Sequence, residues 1–317
     1  MLKYILRRLL LGVPVLIGIS ILIFAAIRII PGDPTAIQND AGGYVFTQEQ
    51  RDRLREQMGI DRPLTEQYLD WVGDIVTGDL GSSFIADTPV TEIVGNRGPV
   101  SAQIAIMAIL LAWMIGIPLG IFGAVRQNQT SDYASRFVAV FLLAVPGFWM
   151  GLLIILFTVL VLGWRPPLVY VHLWTDPIEN LQMTLGPAFV MGVGLGAVFA
   201  RITRSSVLDV LSSDFVRTAQ AKGLNSRSVL VVHVLRNALL PVLTISGLAL
   251  GGLIGGAVAV ERAFSVPGLG LSLVEGIQSA DWTLIQSLVF LYALSFILAN
   301  ILIDIAYGFV DPRIRVA

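Results

Sequence analysis

Six stretches of this chain, 9–27, 98–125, 137–164, 180–200, 237–260 and 282–303, contain no Asp, Glu, Lys or Arg. About 18 apolar residues in a helix suffice to cross a hydrocarbon layer. Inside such a layer the backbone must close all its hydrogen bonds within itself, and no alternating pattern of the kind a membrane β-barrel needs is present. The expected fold is therefore an all-α integral membrane protein with six transmembrane helices. The alternative is a large soluble protein with buried helices. Against it, only 14% of the 317 residues are charged, where a soluble domain carries about 25%, so a water-soluble globule could not be covered. The first run follows Lys3, Arg7 and Arg8 as a secretory signal would. It is longer than the core of about 7–15 residues such a signal has, and it leads into Ile29-Ile30-Pro31 without a small-x-small site. It is expected to be a retained helix.

Orientation follows from the Lys and Arg of the short loops, which favour the cytoplasmic side. Lys3, Arg7 and Arg8, the segment 201–236 with Arg201, Arg204, Arg217, Lys222, Arg227 and Arg236, and the tail with Arg313 and Arg315 all fall on one side of a six-span chain. Segment 31–96 is predominantly acidic and falls on the other. Both termini are expected to be cytoplasmic. Trp164, Trp174 and Trp282 lie at expected outer ends of spans, the level that aromatic rings prefer, whereas Trp113 and Trp149 lie within spans as packing residues. This divides the chain into an N-terminal tail and first helix (1–30), an extracytoplasmic loop with short helices (31–97) and a five-helix core (98–317).

Within the outer loop, Thr47 followed by Gln50 has the spacing of a capping box. A second helix starts near Pro63 or Thr65 with Leu64, Tyr68, Trp71 and Ile75 on one face, and Gly78-Asp79-Leu80-Gly81 reads as a turn. That face either lies on the membrane, or receives a partner, or packs as a cap on the bundle.

The cytoplasmic segment 204–236 is too patterned for a plain connection. Asp214 reads as the cap of a helix over Phe215–Lys222, and Lys222 followed by Gly223 is a stop signature. Asn225 or Ser226 begins a second helix through His233 and Arg236, which gives a rigid helix–turn–helix elbow. Such an elbow suits a lever against a cytoplasmic motor; taken by charge and position alone, it would serve equally as a basic loop that enforces topology.

Several functions are excluded. Without cysteine and with two histidines, there is no thiolate or His-rich metal site. A net charge of −1 gives no reason to expect nucleic acid. No Gly-x-x-x-x-Gly-Lys-[Ser/Thr], His-Glu-x-x-His or Gly-x-Ser-x-Gly motif occurs, so an enzyme is not expected.

Phe215-Val-Arg-Thr-Ala-Gln-Ala-Lys-Gly-Leu224, followed by His233-Val-Leu-Arg-Asn-Ala-Leu-Leu-Pro241, resembles the coupling loop of ABC importer permeases. The family pattern is Glu-Ala-Ala, three residues, Gly, nine residues and an Ile-x-Leu-Pro ending. Here Arg217, Thr218 and Ala219 fill the first places, Gly223 matches, and Arg236 stands in the proline place. Arg217 and Ala221-Lys-Gly-Leu224 resemble the dipeptide, oligopeptide and nickel branch, in particular its B-type dipeptide permeases. Pro31-Gly-Asp33-Pro34, the stretch from Tyr68 to Ser82, Glu261–Leu271, Asn300–Asp304 and Asp311–Arg315 resemble the same branch in the same order.

The resemblance implies a pore shared with a second homologous permease, two ATPase subunits that hold the ATP and magnesium, and an extracytoplasmic substrate-binding protein, in a bacterial or archaeal plasma membrane. This chain itself would bind no cofactor. Asp214, Phe215, Arg217, Ala219, Lys222, Gly223, Leu224 and His233 would form the ATPase-coupling loop. Nickel, glutathione and oligosaccharides are the alternative cargoes, and an ion-coupled secondary transporter is the rival mechanism. That rival needs an acid or His near the bilayer midplane, which the span limits above do not offer.

Gly247, Gly251 and Gly255, interleaved with Gly252 and Gly256, are spaced for close helix approach in lipid, either toward a partner permease or pathway or within the subunit. Gly116 with Gly120 and Gly192 with Gly196 repeat the spacing. Asn300 and Asp304 share a helical face, where a structural bond to the tail or first helix is expected. Arg28, Asp33 and Glu261 are candidates for an outer gate or docking surface, with snorkelling the expectation for Arg28.

Overall fold

The computed structural model describes residues 2–29, 59–165, 167 and 169–310 with the single positions 47, 49 and 55, and for residues 2–5, 254–256, 304 and 306–310 the backbone alone. The first helix, α1 (Leu2–Ile29), is followed on the far side of the outer segment by α2 (Leu64–Thr77). A short antiparallel pair, β1 (Ser82–Ser83) and β2 (Thr88–Pro89), leads into α3 (Val90–Val125). Next come α4 (Thr130–Ala144), α5 (Gly147–Leu160) and α6 (Pro177–Leu211). The elbow holds α7 (Asp214–Ala221), α8 (Ser226–Ser228), a π-helical turn (Val229–Val234) and α9 (Leu235–Ala238). The chain closes with α10 (Leu240–Phe264), α11 (Leu269–Gln278) and α12 (Trp282–Val310).

Among the described residues, four helices are singly long and apolar enough to span a membrane: Leu6–Ile29, Val90–Val125, Pro177–Leu211 and Trp282–Ile303. Three bent pairs qualify only when each is taken as one span, which makes the chain a helical membrane protein with four to seven candidate spans. The third charge-free stretch is therefore not a straight helix. Val145 is extended (φ −84, ψ 119) because the residue before a proline is pushed out of the helical region, and the chain turns 93° between α4 and α5. The fifth stretch straddles a 42° bend after Ala238 and runs on to Phe264, where the path turns by 86° into α11. Ser265 makes that turn at φ 53, with Val266 N donating to Glu261 O at 3.0 Å. Pro146 and Pro241 sit at helix starts, while Pro118 and Pro187 lie inside continuous helices.

The expected limit of the outer loop at 97 falls inside α3. Glu92 and Arg97 end the apolar run but not the helix, and Arg97 donates to Ser272 Oγ and Glu275 Oε2, each at 2.8 Å. Of the three alternatives for the apolar face of α2, the cap is the one seen: Tyr68 OH and Ser20 Oγ lie 2.8 Å apart, and Trp71 meets Phe290 edge-on. Leu64 departs from that face and is exposed. Thr47 lies two residues before helical Glu49; Gln50, its expected capping partner, lies outside the described residues.

The centre of the molecule is the crossing of α3 and α6. Side chains at Gly116, Gly120 and Gly192 would collide with the facing helix, at Gly196 O, Ala200 O and Ala108 O respectively. Ala108, Ala112 and Ala200 are fully or nearly buried along the same seam. Lipid tails are as apolar as a leucine, so contact in a membrane is driven by close packing and polar bonds rather than by apolar burial. Gln103 supplies such a bond, donating to Asn180 Oδ1 at 2.5 Å and to Thr184 Oγ1 at 3.1 Å. Gly116→Val should lower thermal stability in detergent by about 1–3 kcal/mol through overpacking. Gly194→Val, where a side chain meets nothing within 4 Å, should leave the melting temperature near that of the parent.

Candidate functional site

The elbow is built by two caps. Ser213, not Asp214, is the N-cap of α7, and Asp214 is its first helical residue. Ser213 Oγ is already spent on Val210 O at 2.5 Å, which joins the elbow to the end of α6. Lys222 is the C-cap and Gly223 turns at φ 81. Leu224 N donates to Ala219 O at 3.3 Å and Gly223 N to Gln220 O at 2.9 Å, the paired bonds that close a helix on a left-handed residue. Asn225 then caps the next helix by accepting from Ser228 N at 2.7 Å.

One face of this elbow belongs to the core. Val216 is 1% exposed and packs with Ala219, Val229, Val234 and Ala238 against Ala124 and Val207 of the two central helices. The other face points outward: Phe215 is 46% exposed and Leu224 43%, and the ion pair of Asp214 with Arg217 at 3.6 Å is almost wholly solvated. His233 lies in the π-helical turn, and its carbonyl accepts from Asn237 Nδ2 at 2.9 Å. The eight expected coupling-loop residues thus lie on α7, the turn after it and the π-helical turn, with Ala219 on the anchored side and Phe215, Leu224 and the Asp214–Arg217 pair on the solvated side.

The elbow is tied into the bundle by a pair that the loop pattern did not reveal. Asp132, fully buried, receives Arg204 in a two-pronged contact, Nε at 2.7 Å and Nη2 at 2.8 Å, a geometry that holds a guanidinium in a fixed orientation. Asn128 N donates to the same carboxylate at 3.0 Å. This fixes the start of α4 to α6 about two turns before the elbow. Arg204 counts in the sequence only as one more basic residue, and Asp132 lies just outside a charge-free stretch.

At the opposite end of α10 lies a second node. Glu261 is 0% exposed, so it is no docking surface of this chain. Its carboxylate accepts from Ser101 Oγ at 2.7 Å and from Leu271 N at 3.1 Å, while Ser101 Oγ in turn accepts from Leu269 N at 2.8 Å. Gly268 and Gly270 leave the room that the carboxylate occupies. Glu261 therefore clamps the turn between α10 and α11 onto α3. Close by, the ring of Phe264 wedges into the space left by Gly151 and Gly186. Arg28 is no loose snorkelling cation: it donates twice to Gln67 Oε1, at 3.0 and 2.8 Å, and lies 3.4 Å over the Phe24 ring.

The remaining expectations divide. Gly247 and Gly251 meet Ile303 and Phe296 of α12, which is packing within the subunit, and Gly252 meets nothing within 4 Å. Asn300 donates to Phe296 O of its own helix at 2.8 Å. Asp33, the surroundings of Gly255 and Gly256, the side chain of Asp304 and the terminal 311–315 motif lie outside the described residues.

Comparison with known proteins covers nearly the whole chain. Residues 116–316 match the family described as binding-protein-dependent transport system inner membrane component, and residues 1–105 match its N-terminal region family. The oligopeptide transport system permease protein AppB of Bacillus subtilis is 39% identical, over 99% of this chain and 100% of that protein. The dipeptide transport system permease DppB of Escherichia coli is 37% identical and the glutathione transport system permease GsiC of Escherichia coli 36%, each over 99% of both chains. Among solved structures, an inward-facing MetNI methionine ABC transporter superposes with a TM-score of 0.57 at 16% identity, covering 69% of this chain and 96% of that one; this likeness is one of fold.

Glu261→Gln should cost about 1–3 kcal/mol, because an amide offers a single acceptor oxygen and strands one buried donor. Ser101→Ala should cost a comparable amount by leaving Leu269 N unpaired. Thermal unfolding of the two single variants and the double variant checks this. Because Ser101 and Glu261 share one network, the double variant should lose less than the sum of the singles.

Proposed function

The chain belongs to the family of binding-protein-dependent transport system inner membrane components, and on that premise we propose that it forms half of the translocation path of an ATP-driven importer of di- and oligopeptides. It is a multi-pass inner-membrane protein. In the proposed assembly it has six spans with both termini cytoplasmic, pairs with a second homologous permease, and stands above two ATPase subunits that hold ATP and magnesium. An extracytoplasmic binding protein delivers the cargo. The relatives named above favour peptides over nickel or oligosaccharides, and glutathione is itself a small peptide.

The observation that carries this reading is the two-sided elbow. Phe215 on a short helix and Leu224 just past its end are large apolar side chains held outward, and the helix's other face is locked into the core. An apolar pair presented on a rigid solvated support suits a groove on a partner. A push received there passes through Val216 and Ala219 to α3 and α6, and through Arg204 and Asp132 to the broken α4–α5 segment. ATP-driven closure of the ATPases would move the elbow as a unit and switch the accessible side of the pore, a rigid-body change of a familiar kind.

The rival reading, an ion-coupled carrier, finds buried acids at Asp132 and Glu261 that the span limits alone did not suggest. Both are committed, one to Arg204 and Asn128 N, the other to Ser101 and Leu271 N. Asp132, held ionised by the two-pronged Arg204 contact, is poorly placed to exchange a proton or cation during a cycle.

Detergent-extracted protein should retain a second permease and two ATPases, and substrate-stimulated ATP hydrolysis should require all of them. Uptake that survives deletion of the ATPases and follows an ion gradient would overturn the reading. Gly223→Val should leave membrane insertion intact and uncouple ATP hydrolysis from peptide uptake. The cause is conformational, about 1–2 kcal/mol of left-handed strain, since no atom lies within 4 Å of the added carbon. Phe215→Ala should reduce retention of the ATPases during purification without changing the melting temperature of the membrane subunit.

A further inference from the structure

A groove of about 280 Å3 opens between α3, α4 and α6 on the elbow side of the bundle. Its walls are apolar, with Leu119, Val140 and Leu143 among them, and one end carries three guanidinium groups, Arg136, Arg201 and Arg204. No carboxylate lines it among the described residues. The nearest, Asp132, is consumed by Arg204 and Asn128 N. Arg136 stands 3.5 Å from that carboxylate at Nε and leans on the Tyr133 ring at 4.5 Å, with 44% of its side chain exposed. Arg201 is exposed, and among the described residues its side chain makes no hydrogen bond or ion pair. Three cations against one anion leave an excess of two positive charges at the mouth of an apolar cleft.

From this juxtaposition we propose that the groove is a binding site for one anionic phospholipid of the leaflet on the elbow side. The phosphate sits between Arg136 and Arg201, and an acyl chain runs along Val140 and Leu143. Charge identifies the head, since cationic pockets between spans at the membrane surface select anionic lipid. The walls identify the tail. Val140 and Leu143 line the groove and are also part of the exposed apolar face of α4, together with Phe137 and Phe141. The cleft is thus continuous with a surface that hydrocarbon must cover. A soluble anion would match the arginines and leave the walls without a partner. The site abuts the Asp132–Arg204 pair, so a bound phosphate also lowers the repulsion among the three arginines. The inference does not depend on what the protein transports.

The test uses the detergent-purified complex, titrated with phosphatidylglycerol or phosphatidylcholine and followed by native mass spectrometry and thermal unfolding. Phosphatidylglycerol should bind more tightly and raise the melting temperature more. The double variant Arg136→Gln, Arg201→Gln should lose about thirtyfold in affinity for it, the worth of two cations at an anionic surface. Binding of phosphatidylcholine should not change, which shows that the variant is folded. Arg136→Lys with Arg201→Lys should keep most of the preference. Equal binding of both lipids by the parent, or an undiminished preference in the glutamine variant, overturns the proposal. So does displacement of phosphatidylglycerol by a soluble acidic peptide, which would make the groove part of a solute path.

Discussion

The contact on which the rest depends is the backbone-to-backbone approach of α3 and α6. In water, two such helices would be driven together by burying apolar surface; in lipid that drive is nearly absent. Gly116, Gly120, Gly192 and the alanines between them remove the side chains that would hold the helices apart. Once the helices touch, everything else has a fixed reference. The elbow packs on their far ends through Ala124 and Val207, and α10 adds Val242 beside Ala112 and Phe199.

On this frame the molecule places two polar nodes at opposite ends. Toward the elbow, Arg204 and Asp132 bind the central crossing to α4. At the other end, Glu261 and Ser101 bind it to the turn that enters α11. Buried charges and polar groups are costly unless saturated, and both nodes are saturated, each by at least one backbone N–H in addition to a side chain. Each node therefore joins segments far apart in sequence, Asp132 to Arg204 and Ser101 to Glu261, with its carboxylate oxygens hydrogen-bonded.

Much of this was legible in the sequence, and the failures have identifiable causes. The elbow was legible because Lys222, Gly223 and Asn225 are local signals: each acts through its own backbone angles and the neighbouring turn. The cap was misplaced by one residue, since Ser213 and Asp214 are both good cap types and only the extended backbone of Ser213 (φ −74, ψ 151) marks where the helix starts. The glycine seam was legible as spacing, whereas the partner of each glycine was not. Gly247 and Gly251 meet α12, a contact no periodicity reveals. The break in the third span was legible as a proline at 146 able to kink its helix, whereas the 93° size of the turn was not, because the run without charges continues unbroken across it. The roles of Asp132 and Glu261 were not legible at all, because a buried acid is recognised by its donors, and their side-chain donors lie 72 and 160 residues away.

The 35 residues of α6 correspond to a rod of about 52 Å, against a hydrocarbon thickness of about 30 Å. Trp174, exposed just before the start of the rod, suits the interfacial level, so most of the surplus length is left at the Leu211 end. The elbow then stands clear of the headgroups, like a handle mounted on a shaft. Changes in bilayer thickness would slide along that shaft without altering the angle at which the handle is presented.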